Sequence, residues 1–251
     1  PLVPQDADVL LVVGPKQKFE NYEIQALEDY LKRGGNLLLA LESRNPTGLE
    51  RLVEKVGIRP EFNFIKSSFM GLGFIEGPAL GSVFSSSSAV TKVFVSQRDV
   101  VGMNWPMNLK SETAPEGITL EALVKTDVNA MAFPTQEMKP GNFPQGPFQL
   151  ALEARGKWPG GQKDFQLIVF GDSEFLTKQL LYKSLNRDLA LNSVSQLAKE
   201  TDLVSLAPRE IKRTQLKVTT AKLGAFYISI IALPILLLSA SIGFFLRRRR
   251  G

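Results

Sequence analysis

The chain has 251 residues, 44% hydrophobic and 22% charged, with a net charge of +5 and neither His nor Cys. Ser–His and Cys–His catalytic pairs and Cys- or His-rich zinc sites are therefore excluded, since their bases or ligands are missing; of those chemistries a Ser–Lys pair or an all-carboxylate metal site remains. The surplus charge sits in Lys217, Lys222, Arg247, Arg248, Arg249 and Arg250, and the rest of the chain carries −1, so the basic balance marks a membrane flank and not a nucleic-acid footprint.

The first elements read as an α/β pattern. "DADVLLVVGP" (6–15) is a buried-strand pattern closed by Gly-Pro. "ENYEIQALEDYLKRGG" (20–35) places Tyr22, Ile24, Leu27, Tyr30 and Leu31 on an approximate helical stripe that ends at Gly34-Gly35. "NLLLALE" (36–42) is a second apolar strand. "TGLERLVEKVGI" (47–58) is a short amphipathic helix with Leu49, Leu52, Val53 and Val56 inward, and an extended segment follows at 61–65. Strand–helix–strand–helix–strand within 65 residues predicts a mainly parallel sheet with flanking helices.

Residues 66–161 are rich in Gly, Ser and Pro and read as an irregular insertion of short strands and long loops. Its apolar runs are "KVFVSQ" (92–97), "ITLEALVKT" (118–126) and "FQLALEAR" (148–155). Ser85 to Ser88 form a polar run expected to be a mobile loop, and "GKWPGGQKD" (156–164) a surface hairpin or loop. Regular structure returns with "FQLIVF" (165–170), apolar on both faces as a central strand of the same sheet should be. "SEFLTKQLLY" (173–182) looks helical and "NRDLALNSVSQLAKE" (186–200) more clearly so. The soluble α/β domain is thus expected over 1–205 and a juxtamembrane linker over 206–223.

Residues 224–246, "GAFYISIIALPILLLSASIGFFL", contain no charge. As a helix these 23 residues would extend about 34 Å, enough for a hydrocarbon core of about 30 Å. The predicted transmembrane helix opens at Gly224, contains Pro234, closes at Leu246 and is followed at 247–251 by the basic tail Arg247, Arg248, Arg249 and Arg250. The arginine block favours a cytoplasmic C-terminus with the body outside, although the other flank is also basic. The opening at Pro1, without a signal peptide, is read as a piece of a longer product.

No motif declares an enzyme. "GLGFIEGPALG" (71–81) does not fit G-x-G-x-x-G, and no P-loop is present. Asp6, Asp8, Glu153, Asp164, Asp172 and Glu174 are candidate carboxylates that nothing in the sequence brings together in pairs. Ser173 follows Gly171-Asp172 at a strand end. It is either a nucleophile or part of the turn, where Asp172 or Ser173 caps the next helix. Ligands of open α/β sheets sit at the carboxyl ends of strands, here Gly14, Glu42, Ser43, Gly171, Asp172 and Ser173, which form the candidate strand-end cleft. No cofactor, metal or catalytic residue is assigned.

In order, "VPQDADVLLVVGPKQKFENYEIQALEDYLKRGGNLLLAL", "LIVFGDSEFLTKQLL" and "NRDLALNSVSQLAKETDLVSLAPRE", with one basic-flanked span after them, resemble the GldG family, the gliding-motility-type auxiliary component of ABC transporters. The resemblance implies a periplasmic domain of class I glutamine amidotransferase-like or flavodoxin-like fold on the bacterial inner membrane. It also implies a separate ATPase and a permease as partners, beside lipid and an envelope protein or glycan. The amidotransferase chemistry of that fold needs Cys and His and is not carried over. The expected function is a non-catalytic accessory subunit; the alternatives are an envelope-anchored hydrolase using Ser173 or nearby carboxylates and a tail-anchored cytosolic interaction protein.

Overall fold

The computed structural model describes residues 3–67, 77–138 and 141–199, and in the C-terminal part residues 234, 235, 239, 241, 242, 245 and 247–249. The chain divides into two compact units, Pro1–Leu206 and Ala207–Gly251.

In the first unit three strands run parallel. These are β1 (Val9–Val13), β2 (Asn36–Ala40) and β11 (Asp164–Phe170), with β2 in the middle. Every residue of β2 is buried, which its unbroken apolar run requires. The apolar segment 165–170 does join the first two strands in one sheet, as its two-sided hydrophobicity predicts. β1 differs from expectation, because it is an edge strand with Leu11 and Val13 exposed.

The expected parallel flavodoxin-like or amidotransferase-like sheet is corrected to a mixed one. Its order is β1-β2-β11-β10-β8-β5-β6, with β5 (Ala79–Phe84), β6 (Val101–Met103), β8 (Ile118–Thr126) and β10 (Gln149–Lys157) all pairing antiparallel. The segment 66–161 is thus no insertion but supplies four of the seven strands. The reason is the turn chemistry of "GKWPGGQKD". A short connection closes β10 onto β11 as a hairpin, and a hairpin can only be antiparallel. Moreover, the third extended segment leaves the sheet. β3 (Ile58–Glu61) carries Pro60 and pairs with β7 (Asn108–Ser111), and β4 (Phe64–Lys66) pairs with β9 (Met131–Phe133), making two separate ribbons.

Helices cover both faces. α1 (Asn21–Lys32) and α2 (Glu50–Glu54) bury Leu27, Leu31, Leu52 and Val53 against Leu37, Leu39, Leu167 and Val169. α3 (Asn186–Ala198) sets Leu189 and Leu197 on the other face with Leu38, Ile168 and Phe170. The α1 stripe is narrower than its sequence suggests, since Tyr22 is exposed. Gly34 ends α1 at φ +85°, a left-handed conformation that glycine adopts without cost. Three further expectations change. Residues 92–97 form no strand, although Phe94 is buried. Residues 85–88 are a loop as expected, with Ser86 and Ser87 exposed, but Ser85 and Ser87 donate to Glu121 and the buried Ser88 donates to Glu153, so the loop is tied to β8 and β10. After Ser173 only a 3₁₀ turn forms, Glu174–Leu176.

In the second unit the described residues, among them Pro234, Ile235, Ile242 and Phe245, have helical backbone and are exposed. Among the described residues no helix is long and apolar enough to cross a membrane. Most of the expected span, including Gly224 and Leu246, and the final Arg250 lie outside the described residues.

Candidate functional site

The parallel strands β1, β2 and β11 end side by side, and the residues that follow them interlock. Gly14 donates its N–H to Ala40 O at 3.0 Å and is held at φ +53°. A Cβ added there would fall on Ser173 Oγ, so glycine is what lets the two chain turns touch. Glu42 is buried, and its carboxylate accepts both the Ser173 N–H, at 3.1 Å, and the Ser173 hydroxyl. The serine is thereby a donor to a carboxylate. Its hydroxyl proton ties the end of β11 to the end of β2.

Asp172 lies beneath the surface, 1% exposed. Its carboxyl accepts the N–H groups of Asn104 at 3.0 Å, Glu174 at 3.1 Å and Phe175 at 3.1 Å. Of the two capping candidates Asp172 is thus the cap of the 3₁₀ turn, while Ser173 makes no capping bond. Burial pushes the Asp172 carboxyl up to about 7; the nearby charge of Glu42 adds to this, and the three backbone donors oppose it. Ser43 turns away and donates to Asn63 O at 2.7 Å. Gly171 is clamped between backbones, with its N–H on Leu150 O at 3.0 Å and its carbonyl accepting from Met107 N at 2.9 Å.

In front of this interlock opens a cleft of about 840 Å³. Of the six residues expected there, Gly14 and Ser173 line it, while Glu42, Ser43, Gly171 and Asp172 do not; Glu42 acts through its bonds to Ser173. The other lining residues come from farther along the chain. Lys16 follows the β1 turn, Lys66 ends β4, Asn104 follows β6, and Glu174 to Leu180 belong to the segment after β11. Lys66 is 6% exposed; its ammonium donates to Gly77 O and stands 4.4 Å from the ring centre of Trp105, and burial lowers its pKa. Trp105 holds φ +59°, a left-handed conformation uncommon for any residue with a Cβ. Glu174 on the rim is already paired, to Arg44 at 3.2 Å and to the Asn104 side-chain amide.

The sequence offered a signal for Lys16, two residues past a strand-ending glycine. It offered none for Lys66, Asn104 or Trp105, which the β4–β9 ribbon and the β6–β7 connection bring in from outside the α/β pattern. Among the described residues no group of His, Cys, Asp or Glu is arranged to hold a metal ion.

The first unit is thus a mixed α/β sheet covered on both faces, with a cleft at its parallel strand ends, where open α/β sheets commonly take ligands. Residues 1–205 match the family described as an ABC-type uncharacterized transport system, the auxiliary-component family of such transporters, and the chain belongs to it. Membership indicates an accessory, membrane-associated role in a transport system, with the other transporter components as partners. Among solved structures the chain is similar to the "mmIFT52 N-terminal domain", with 20% identity, a TM-score of 0.55 and coverage of 77% of this chain and 78% of that one, a likeness of fold alone. It also aligns with "Cytoplasmic Protein STM3548 from Salmonella typhimurium" at 14% identity and a TM-score of 0.39, over 75% of this chain and 71% of that one. None of the curated proteins matches the chain.

Proposed function

We propose that the chain is a non-catalytic, membrane-anchored accessory subunit of a bacterial ABC-type transporter of the GldG gliding-motility type. Its α/β domain stands on the periplasmic side of the inner membrane and presents its surface to the transporter or to an envelope protein or glycan. The observation that carries this reading is the family match over 1–205. Anchoring is supported by the uncharged run 224–246 and the arginines behind it, a composition that favours lipid on one side and the cytoplasmic face on the other. The site chemistry agrees with binding. The cleft hydroxyl is engaged as a donor to Glu42, and the buried carboxyl is spent on backbone N–H groups. The partners are a separate ATPase and a multi-span permease. Removing residues 224–251 is expected to leave a folded soluble domain that no longer co-purifies with the permease; retained co-purification refutes the anchoring.

A further inference from the structure

We propose that the strand-end cleft binds an organic phosphate, with Lys16 and Lys66 meeting the phosphate and the apolar wall of Val13, Leu176 and Leu180 meeting the rest of the molecule. This goes beyond the accessory role and does not depend on it.

The argument is one of unbalanced charge. Both lysines line the cleft, and neither has a carboxylate within ion-pair distance among the described residues. The nearby acids are already committed. Glu174 is held by Arg44 and Asn104, Glu42 by the N–H and hydroxyl of Ser173, and Asp172 by three backbone donors. An ammonium has three donors, and the Lys66 group uses one on Gly77 O while its charge rests on the Trp105 ring. A cation 6% exposed, with no counter-charge among the described residues, is costly unless an anion meets it. Trp105, whose ring centre lies 4.4 Å from the Lys66 ammonium, holds φ +59°, and backbone conformations of this kind concentrate where a ligand is held. Two lysines lining one cleft, neither with an ion-pair partner among the described residues, suit a doubly charged phosphate monoester, and the volume of about 840 Å³ leaves room for an organic body. The source is either a soluble phosphorylated metabolite or the headgroup of a lipid, and the chemistry of recognition is the same.

The test uses the full chain in neutral detergent and reads tryptophan fluorescence, because Trp105 lies on Lys66 whereas Trp158, the other tryptophan, is buried in the core. The probes are glycerol 3-phosphate for the soluble source and dihexanoyl phosphatidic acid, below its micellar concentration, for the lipid source; glycerol and dihexanoyl phosphatidylcholine are the controls. Saturable binding of either phosphate probe, absent with its control, is expected. Lys16→Glu, at an exposed position where folding is not at stake, should weaken it about tenfold or more. Lys18→Glu makes the same charge change outside the cleft and should leave affinity within about twofold. Lys66→Met should also abolish binding. No saturable binding of either probe, or an equal loss in Lys16→Glu and Lys18→Glu, overturns the proposal. The experiment needs no permease, so its failure leaves the accessory role standing, and failed co-purification leaves the cleft standing.

Discussion

Ser173 and Asp172 are adjacent, yet they do different work because one faces the cleft and the other lies beneath it. Ser173→Ala removes one of two hydrogen bonds to the Glu42 carboxylate and keeps the N–H bond at 3.1 Å. A loss of about 1–2 kcal/mol in urea unfolding is expected, with no hydrolytic turnover to lose; a turnover in the wild type that Ser173→Ala abolishes would mark a hydrolase. Asp172 links the fold to pH. Its native carboxyl titrates at about 7, against about 3.9 in an unfolded chain. Between those values the native state holds a proton that the unfolded state has released. Its contribution is therefore full below about pH 4 and is lost as pH rises toward about 7. The difference in urea midpoint between the wild type and Asp172→Asn should shrink as pH rises through that window. Glu153, also raised by burial, has the same sign but stays in both proteins, so the difference isolates Asp172. A difference that grows with pH contradicts the assignment. At this scale the strand-end residues were legible because Gly-Asp-Ser after an apolar run has a local meaning. The lysine–tryptophan pair was not, since Lys66 and Trp105 meet only through tertiary structure.

Among elements, the edge strand β6 pairs with β5 on one side and is held on the other by a side chain from α3. Asn186 is fully buried; its amide carbonyl accepts the Gly102 N–H at 2.8 Å, and its NH₂ donates to Gly102 O at 2.8 Å and Leu180 O at 3.0 Å. The side chain thus pairs with β6 as a neighbouring strand would, and fixes α3 and the segment after β11 in the same step. Asn186→Ala removes the partner of the Gly102 N–H and the Gly102 carbonyl, while Leu180 O keeps the Lys183 N–H at 2.9 Å, and should cost roughly 2–4 kcal/mol in urea unfolding. A change below about 0.5 kcal/mol would mean that water replaces the amide. This clamp has no sequence signal, because an asparagine at a helix start reads only as a cap. The sequence period did locate β2, β8, β10, β11, α1 and α3, whose patterns are long or unbroken. Pairing direction was another matter. The extended segment 61–65 reads like the third strand of a parallel sheet, whereas it is divided between the end of β3, which carries Pro60 and pairs with β7, and β4, which pairs with β9. β5 and β6 lie in a Gly- and Ser-rich region where apolar alternation is too short to register.

At the scale of the whole molecule, the proposed role joins the α/β domain to the uncharged run 224–246. With the body on the periplasmic side, protease added to intact spheroplasts should degrade the domain; protection until the cells are lysed would favour the tail-anchored cytosolic arrangement instead. The most direct measurement is recovery of the tagged full chain from gently solubilised membranes of its own host. An ATPase and a multi-span permease should come with it in near-stoichiometric amounts. Recovery of the chain alone, or its release from membranes by alkaline carbonate without detergent, would contradict the claim that it works as part of a membrane transporter.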